Sequence, residues 1–313
     1  MSIIFFGDPH FDSQTPASRI DNYAEVSVQK LKAILEVAIE KDAKHVMSTG
    51  DFFDKYDVSF SYLNELVAVL KEFQDADIKV WSLIGNHDLP YNSMSYFKNT
   101  PLNTLFKSGL VKHIKEKNEF HGFTLAGLDF TKLDRAAEIN KEYGLGPSIL
   151  IAHYAMDNTV PGESINFKDV SNFDIVISGH DHMYYKPKTL ESGTRVLRPG
   201  SLLRRTKEEY NLTRDVVIYY VSRDYDNTFG SWAIEEIKLP GARPASEIFR
   251  NEVFDEAAFN LYDNKYNDLF NKDYFEDAAS DIFAILGVLP STVSKRSKDA
   301  VVKYLKTKGI RQS

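Results

Sequence analysis

The chain has 313 residues, of which 43% are hydrophobic and 27% charged, and its 38 Lys and Arg against 45 Asp and Glu give a net charge of −7. This is the composition of an ordinary globular protein with one large domain or two smaller ones. Because cysteine is absent, disulfides, thiolate nucleophiles, iron–sulfur clusters and Cys-based zinc sites are excluded. Any metal has to be held by His, Asp, Glu or Asn.

The sequence also bears on location and partners. The N-terminus lacks the basic segment and cleavage site of a secretory signal, and no stretch reaches the ~18 apolar residues of a membrane helix. We therefore expect a cytoplasmic protein without membrane contact. The negative net charge argues against a protein that coats nucleic acid, because each neutralised phosphate needs a nearby cation, but it allows local contact with DNA.

Along the first part of the chain, apolar runs alternate with amphipathic segments. The runs Ser2–Phe6, His45–Ser48 and Ile78–Ile84 are typical of strands, and Val26–Ile39 and Tyr62–Phe73 have helical spacing. Such alternation predicts βαβ units and a largely parallel sheet, whose ligands bind at the carboxyl ends of the strands.

From residue 123 onward, predicted strands follow one another with few helices between them. They are Phe123–Leu128, Ser148–Ala152, Phe173–Ser178, Arg195–Leu197, Asp215–Val221 and Ser231–Ile237. This spacing predicts a second, more antiparallel sheet. The expected fold is α/β, a two-sheet β-sandwich flanked by helices.

A linker is predicted at Pro240–Pro244, where two prolines and a glycine interrupt the strand pattern. It divides the chain into residues 1–240 and a smaller α+β or helical module, residues 241–313. Within this module, Glu247–Asp281 has ten acidic and three basic residues, whereas Lys295–Arg311 has seven basic and one acidic. Either a partner-binding module or a helical cap on the protein's own body would fit this pattern.

Five polar elements follow the ends of predicted strands and contain five of the eight histidines. They are Asp8-Pro9-His10, Gly50-Asp51-Phe52-Phe53-Asp54, Gly85-Asn86-His87-Asp88, His153 and Gly179-His180-Asp181-His182. Each alone is also typical of a turn, a helix cap or a core histidine. Together they favour a site for two metal ions, because residues i and i+2 at a strand end point the same way and their nitrogen and oxygen atoms suit divalent cations.

The ordered set D-x-H, G-D-x-x-D, G-N-H-D, H and G-H-x-H resembles that of the calcineurin-like metallophosphoesterases, over residues 1–205. The resemblance implies an αββα sandwich with two divalent metals, Mn²⁺ first and Mg²⁺ as the alternative. It assigns Asp8, His10 and His182 to the first metal, Asn86, His153 and His180 to the second, and Asp51 to both. It also implies that His87 acts at the leaving oxygen, that Asp54 orients His87, and that Asn86 contacts the substrate. For Asp54, a plain loop or capping carboxylate stays open as the alternative.

Two details narrow the resemblance. Protein phosphatases of this superfamily carry Arg and Glu where this chain has Lys55 and Asp88, whereas the G-D-F-F-D and G-N-H-D elements resemble the SbcD family of double-strand-break repair nucleases. The segment Arg198–Arg205 is similar to the P-G-S-x-x-R segment of that family, and the short chain is most like its bacteriophage versions. One departure is Phe11-Asp12, where Leu-Gly is usual.

This resemblance implies a metal-dependent DNA nuclease in the bacterial or phage-infected cytoplasm, acting in recombination, repair or phage DNA processing. It also implies an SbcC-like ATPase partner of the SMC type and a homodimer. Residues 185–214 hold eight basic and three acidic residues, so Arg204 and Arg205 are candidate phosphate contacts, although ordinary surface charge fits as well.

Two other functions stay open on the same fold. One is a cyclic-nucleotide phosphodiesterase or nucleotide phosphomonoesterase with the C-terminal module as a lid over the substrate. The other is a scaffold without activity, which the complete ligand set disfavours.

Overall fold

The computed structural model describes residues 2–120, 122–144, 146–223 and 231–250. The chain separates into two units, residues 1–250 and 251–313. Residues 241–250 accompany the first unit, since Ile248 is buried and the Arg250 amide donates to the carbonyl of Ser18. The rest of the proposed C-terminal module lies outside the described residues, and the boundary at residue 240 stays a prediction.

The described residues contain fourteen strands and six α-helices. The strands are β1 (Ser2–Phe6), β2 (His45–Ser48), β3 (Lys79–Ser82), β4 (Val111–His113), β5 (Asn118–Phe120), β6 (Phe123–Leu128), β7 (Ser148–Ala152), β8 (Ala155–Met156), β9 (Ser164–Ile165), β10 (Ile175–Ser178), β11 (Tyr185–Thr189), β12 (Arg195–Arg198), β13 (Val217–Arg223) and β14 (Trp232–Lys238). The helices are α1 (Tyr23–Glu40), α2 (Phe60–Asp75), α3 (Pro101–Ser108), α4 (Ala136–Tyr143), α5 (Glu209–Thr213) and α6 (Ala245–Ile248).

Two six-stranded sheets form the body. The first has the order β14-β13-β1-β2-β3-β4 and the second has the order β11-β12-β10-β7-β6-β5. Strands β1 to β4 are parallel, as predicted, and β13 and β14 add to them in antiparallel fashion. The two-sheet architecture expected from the sequence is confirmed.

The prediction of a more antiparallel second sheet is wrong in two respects. Its central strands β12, β10, β7 and β6 are parallel, and only its edge strands β11 and β5 are antiparallel. Strands β13 and β14 belong to the first sheet instead, where Tyr219 and Val221 pair with Phe5 and Ile3 of β1. The central strands are covered on both faces, which is the setting in which parallel strands occur.

Alternation of side chains along each strand builds the layers. Ile3 and Phe5 of β1 face the core between the sheets, whereas Ile4 and Phe6 pack with the apolar faces of α1 and α2. In the second sheet, the strand residue Leu150 faces outward with Ile139 of α4. The order of layers is therefore helix, sheet, sheet, helix, as residues two apart on a strand share one face.

No helix among the described residues is both long and apolar enough to cross a membrane.

The core between the sheets is expected to carry much of the stability. Ile177 on β10 is fully buried between the sheets, whereas Ile39 on α1 is 59% exposed. Replacing Ile177 by Ala should lower the free energy of unfolding by about 2–5 kcal/mol, because it removes buried methyl groups and leaves a cavity. The measurement is chemical denaturation with guanidinium chloride.

Ile39→Ala is the matched control and should change the free energy of unfolding by less than about 0.5 kcal/mol. Equal losses in the two variants would contradict the assignment of Ile177 to the inter-sheet core.

Candidate metal centre

The carboxyl ends of five strands from the two sheets meet at one edge of the sandwich. The first sheet contributes the loops after β1, β2 and β3, and the second contributes the loops after β7 and β10. The predicted ligands on these loops all come together there: Asp8, His10, Asp51, Asn86, His153, His180 and His182. Parallel strands explain this convergence, because their carboxyl ends lie at the same edge of a sheet.

The first group of ligands is compact. One atom from each of Asp8, His10, Asp51 and His182 lies within 4.8 Å of the others. The Nε2 atoms of His10 and His182 are 2.8 Å apart, and His10 Nε2 is 3.7 Å from Asp51 Oδ2. Two imidazole nitrogens that face each other and a carboxylate suit a shared cation.

The second group surrounds the amide oxygen of Asn86. Asn86 Oδ1 lies 3.1 Å from His153 Nε2 and 3.1 Å from His180 Nδ1. Asp51 Oδ2 lies 3.3 Å from His153 Nε2, so this one oxygen stands between the two groups. A bridging role for Asp51, which the resemblance implies, would need an oxygen in such a position.

One buried atom in the centre supports a fit to metal ions. Asp51 Oδ2 is buried without a hydrogen-bond partner among the described residues, and its neighbours are His153 Nε2 at 3.3 Å and His10 Nε2 at 3.7 Å. An unsatisfied buried polar atom is costly, and a cation would satisfy the carboxylate oxygen. The residues therefore fit two divalent ions that share Asp51.

Hydrogen bonds to carbonyl groups set the tautomers of two histidines. A carbonyl oxygen only accepts, so His153 Nδ1 donates to Thr49 O at 3.0 Å and His87 Nδ1 donates to Asp54 O at 2.7 Å. For His153, the Nε2 atom then lies 3.1 Å from Asn86 Oδ1 in the second ligand group. An outer residue commonly orients a metal-binding imidazole in this way.

Three residues that the sequence did not single out as functional hold the ligands in place. Thr49 Oγ1 donates to Asp8 Oδ1 at 2.5 Å, and Glu163 Oε2 accepts from His180 Nε2 at 2.6 Å. The Asp88 carboxylate accepts from three main-chain amides, those of Phe52, Phe53 and Gly85, and so ties the loop after β2 to the loop after β3. Asp88 has a sequence signal in the G-N-H-D element, whereas Glu163 lies in a surface loop with no such pattern.

Three ligand residues have a left-handed backbone, with φ of 49° at His10, 43° at Asp51 and 71° at His180. Residues other than glycine rarely adopt this conformation, and they cluster at functional sites when they do. A side chain at Gly85 would collide with Asp51 Oδ1, at 2.1 Å from a Cβ atom. The motif glycine is therefore needed for the close approach of the backbone to the ligand.

The charges of the ligands suit cation binding. Burial alone would raise the pKa of Asp8, but His153 holds it at about 2, and the same histidine keeps the pKa of Asp51 well below its usual range. Burial and the nearby His10 lower the pKa of His182 to about 3. At neutral pH the two carboxylates are ionised and His182 is neutral, which are the forms that bind metal. Burial lowers the pKa of His153, but Asp51 and Asp8 raise it well above its usual range, so a metal ion at this residue would displace a proton.

The Asp54 carboxylate lies beside the centre and is almost fully buried. Its Oδ1 is 2.6 Å from Arg205 Nη1, 3.2 Å from His10 Nδ1 and 3.5 Å from His87 Nδ1. The main-chain oxygen of Asp54, rather than its carboxylate, makes the short bond to His87. The carboxylate instead connects Arg205 to His10.

The two candidate phosphate contacts differ in position. Arg205 is partly exposed beside Asp54, whereas Arg204 is buried and donates to the carbonyls of Asn211 and Arg243. The structure therefore brings Arg205 to the centre but not Arg204.

Three more arginines of the basic segment, residues 185–214, also contact other residues of the protein. Arg195 donates to Trp232 O, Arg198 lies 3.4 Å from the centre of the Tyr185 ring, and Arg214 donates to Ser201 O. The charge count of this segment consequently overstates its exposed positive surface, because a count does not distinguish buried from exposed cations.

A cavity of about 350 Å³ opens beside the centre, and its lining includes Asn86, His87 and Lys55. Two tyrosines, Tyr56 and Tyr91, also line it, with ring centroids 6.4 Å apart. Tyr91 is 82% exposed, which is unusual for a large aromatic residue. The opening next to His87 thus presents aromatic faces to a ligand.

Comparisons with known proteins identify the family of the chain. The sequence profile of the calcineurin-like phosphoesterases matches residues 1–184, which confirms the resemblance drawn from the motifs. The DNA double-strand break repair protein Mre11 of Nanoarchaeum equitans (strain Kin4-M) is 24% identical over 194 residues, 53% of this chain and 54% of that protein. The chain therefore spans about half the length of this curated relative. A crystal structure of a dimetal phosphatase from Danio rerio has a TM-score of 0.48 and 13% identity, covering 76% of this chain and 99% of that one.

Glu163 tests the support of the second ligand group. Glu163→Ala removes the carboxylate that holds the His180 ring, so the affinity for one Mn²⁺ ion should fall about tenfold, at the low end for such residues because Glu163 is half exposed. The measurement is calorimetric titration of metal-free protein with Mn²⁺.

The other metal site serves as an internal control, since its ligands do not touch Glu163, and Glu191→Ala replaces an exposed glutamate elsewhere. Unchanged affinity at both sites would refute the supporting role of Glu163.

Proposed function

The chain belongs to the calcineurin-like phosphoesterase family, and on that premise we propose that it is a metal-dependent DNA nuclease that hydrolyses phosphodiester bonds at DNA ends. Membership makes it a hydrolase of phosphoesters with a fold that uses divalent metals. The observation that carries the finer proposal is the assembled ligand set with an open aromatic cavity directly beside His87. The similarity to part of Mre11 supports DNA as the substrate.

The proposed metal ligands are Asp8, His10 and His182 for one ion and Asn86, His153 and His180 for the other, with Asp51 shared. Two bound divalent ions, Mn²⁺ in our proposal, supply positive charge for the phosphoryl oxygens and lower the pKa of water. The two ligand carboxylates offset only part of that charge, so an anionic phosphodiester is attracted to the site.

His87 is the proposed proton donor to the leaving oxygen. Its Nδ1 proton is held by the Asp54 carbonyl, so Nε2 is the atom that presents a proton when the ring is protonated. His87 and Asn86 both line the cavity, which places the proposed donor and a ligand residue on the same opening. Asn86 would donate its amide hydrogens to a phosphoryl oxygen.

The cavity and its rim suit a nucleic acid. The faces of Tyr56 and Tyr91 can stack with a base, and stacking on aromatic side chains tolerates every sequence. Lys55 is half exposed on the lining, and Arg205 is the proposed phosphate contact next to Asp54. Arg204 donates to the carbonyls of Asn211 and Arg243, so we propose that it supports this loop and does not contact the phosphate at the metal centre.

We further propose residues 1–240 as the nuclease domain and 241–313 as a capping or partner-binding module. An SbcC-like ATPase of the SMC type and a second copy of this chain are the proposed partners, in recombination, repair or phage DNA processing. The similarity to part of Mre11 and the SbcD-like motifs support these assignments.

Digestion of end-labelled linear DNA tests the function. Wild-type protein with Mn²⁺ or Mg²⁺ should degrade single- or double-stranded DNA from its ends, alone or with a candidate ATPase, and Asp51→Ala should be inactive because it removes the shared ligand. Efficient hydrolysis of 2′,3′- or 3′,5′-cyclic nucleotides or nucleotide monoesters, with DNA left intact, would favour the alternative enzyme and reject the nuclease.

His87→Ala separates chemistry from metal binding. The variant should bind two Mn²⁺ ions but lose about 100- to 10,000-fold in turnover, because a positioned proton donor contributes that much and His87 is not a proposed ligand. Calorimetry gives the metal stoichiometry, and single-turnover DNA cleavage gives the rate.

The matched control is His45→Gln, which changes a histidine at the opposite end of β2 and should preserve both properties. Loss of metal from the His87 variant would show that this residue is a ligand instead.

A further inference from the structure

A second cavity, of about 320 Å³, is bounded by α1, the loop after β12 and the segment after β14. Its charged lining residues are Arg19, Lys30, Lys32, Arg204 and Arg243, against the single acid Glu36. A concave surface lined by one sign of charge concentrates counter-ions. None of the proposed metal ligands lines this cavity.

Three of the cations are buried, with exposed fractions of 2% for Arg19, 7% for Lys30 and 5% for Arg204. Asp21 pairs with Arg19 and with Arg243, at 2.6 Å in each case. Among the described residues, no carboxylate forms an ion pair with Lys30 or Arg204. Two buried positive charges are therefore left over, and buried charges are usually paired.

Main-chain carbonyls accept hydrogen bonds from these two cations, but carbonyls are neutral and do not balance the positive charge. Lys30 Nζ donates to Leu202 O at 2.5 Å, and the Arg204 guanidinium donates to two carbonyls. Arg204 Nε remains buried without a hydrogen-bond partner. Burial and the neighbouring guanidinium groups hold the pKa of Lys30 well below its usual range. The lowered pKa means that the positive form of Lys30 is disfavoured in the cavity alone, and a bound anion would stabilise that form.

We propose that this cavity binds a phosphate group, apart from the metal centre. A volume of about 320 Å³ accepts a phosphate with part of an attached nucleoside. Arginine and lysine are the residues that bind phosphate, and five of them line this cavity. The source is either free, as inorganic phosphate or a mononucleotide, or the terminal phosphate of a DNA strand; the latter source alone rests on the proposed nuclease function.

The loop between the cavity and the metal centre touches both. Leu202 accepts from Lys30 at its carbonyl and donates from its amide to the carbonyl of Asp8 at 2.9 Å. Arg205, one residue after Arg204, lies against Asp54. The main chain of Leu202 thus connects Lys30, which lines the cavity, to Asp8, a proposed metal ligand.

Phosphate titration of the full-length protein, stripped of metal on a chelating resin, tests the proposal. Removal of the metals takes away the cations through which the dimetal centre would bind the probe. Inorganic phosphate should raise the melting temperature of the wild type more than sodium chloride of equal ionic strength does. Lys30→Met keeps the side-chain length and should weaken phosphate binding about tenfold or more, by calorimetry, since it removes a buried cation that contacts the anion.

Lys71→Met is the matched control, because Lys71 is exposed on α2, and it should bind phosphate as the wild type does. If Lys30→Met does not fold, Arg243→Gln at the cavity rim takes its place, with the same expectation. An equal phosphate response in the cavity variant and the wild type, or a wild-type response no larger than that to chloride, would overturn the proposal.

Oligonucleotides distinguish the two sources. Preference for a 5′- or 3′-phosphorylated strand over its hydroxyl counterpart, lost in Lys30→Met, would identify a DNA end. Stronger binding of inorganic phosphate or a mononucleotide would identify the free form. Because no cleavage is measured, failure of the nuclease assay would leave this result standing.

Discussion

Two buried carboxylates, Asp8 and Asp51, dominate the arrangement of this molecule. Their negative charges lie at the edge of the sandwich where the strands of both sheets end, almost fully buried from water, with the imidazoles of His10 and His153 beside them. Such a group is stable only if positive charge accompanies it. The unsatisfied Oδ2 of Asp51 marks where that charge belongs, and the family's use of divalent metals accounts for it.

The sandwich makes this concentration of charge tolerable. Side chains such as Ile3 and Phe5 join the sheets through an apolar core, so the loops at one edge are held rigidly enough to keep left-handed backbones at His10, Asp51 and His180. Local strain of this kind persists only where the surroundings over-determine the conformation. The Asp88 carboxylate, bonded to three amides of two loops, is one such constraint.

The loop after β12 carries two adjacent arginines that lie in different places. Arg205 faces the carboxylate of Asp54, whereas Arg204, its neighbour in sequence, joins Lys30 in a cavity with an excess of buried cations. A single loop therefore separates two places that attract anions, one through the proposed metals and one through side chains. Two adjacent arginines with the same charge thus have different surroundings.

The sequence by itself determined the local features: the strands β1, β2 and β3, the apolar alternation of their side chains, and the ligand types at strand ends, because these depend on neighbouring residues. Only the tertiary structure decided the parallel centre of the second sheet, the return of β13 to β1, the contact of Glu163 with His180 and the burial of Arg204. Each of these joins residues far apart in the chain. Their geometry follows from how the sheets and loops pack, which periodicity, spacing and charge counts do not encode.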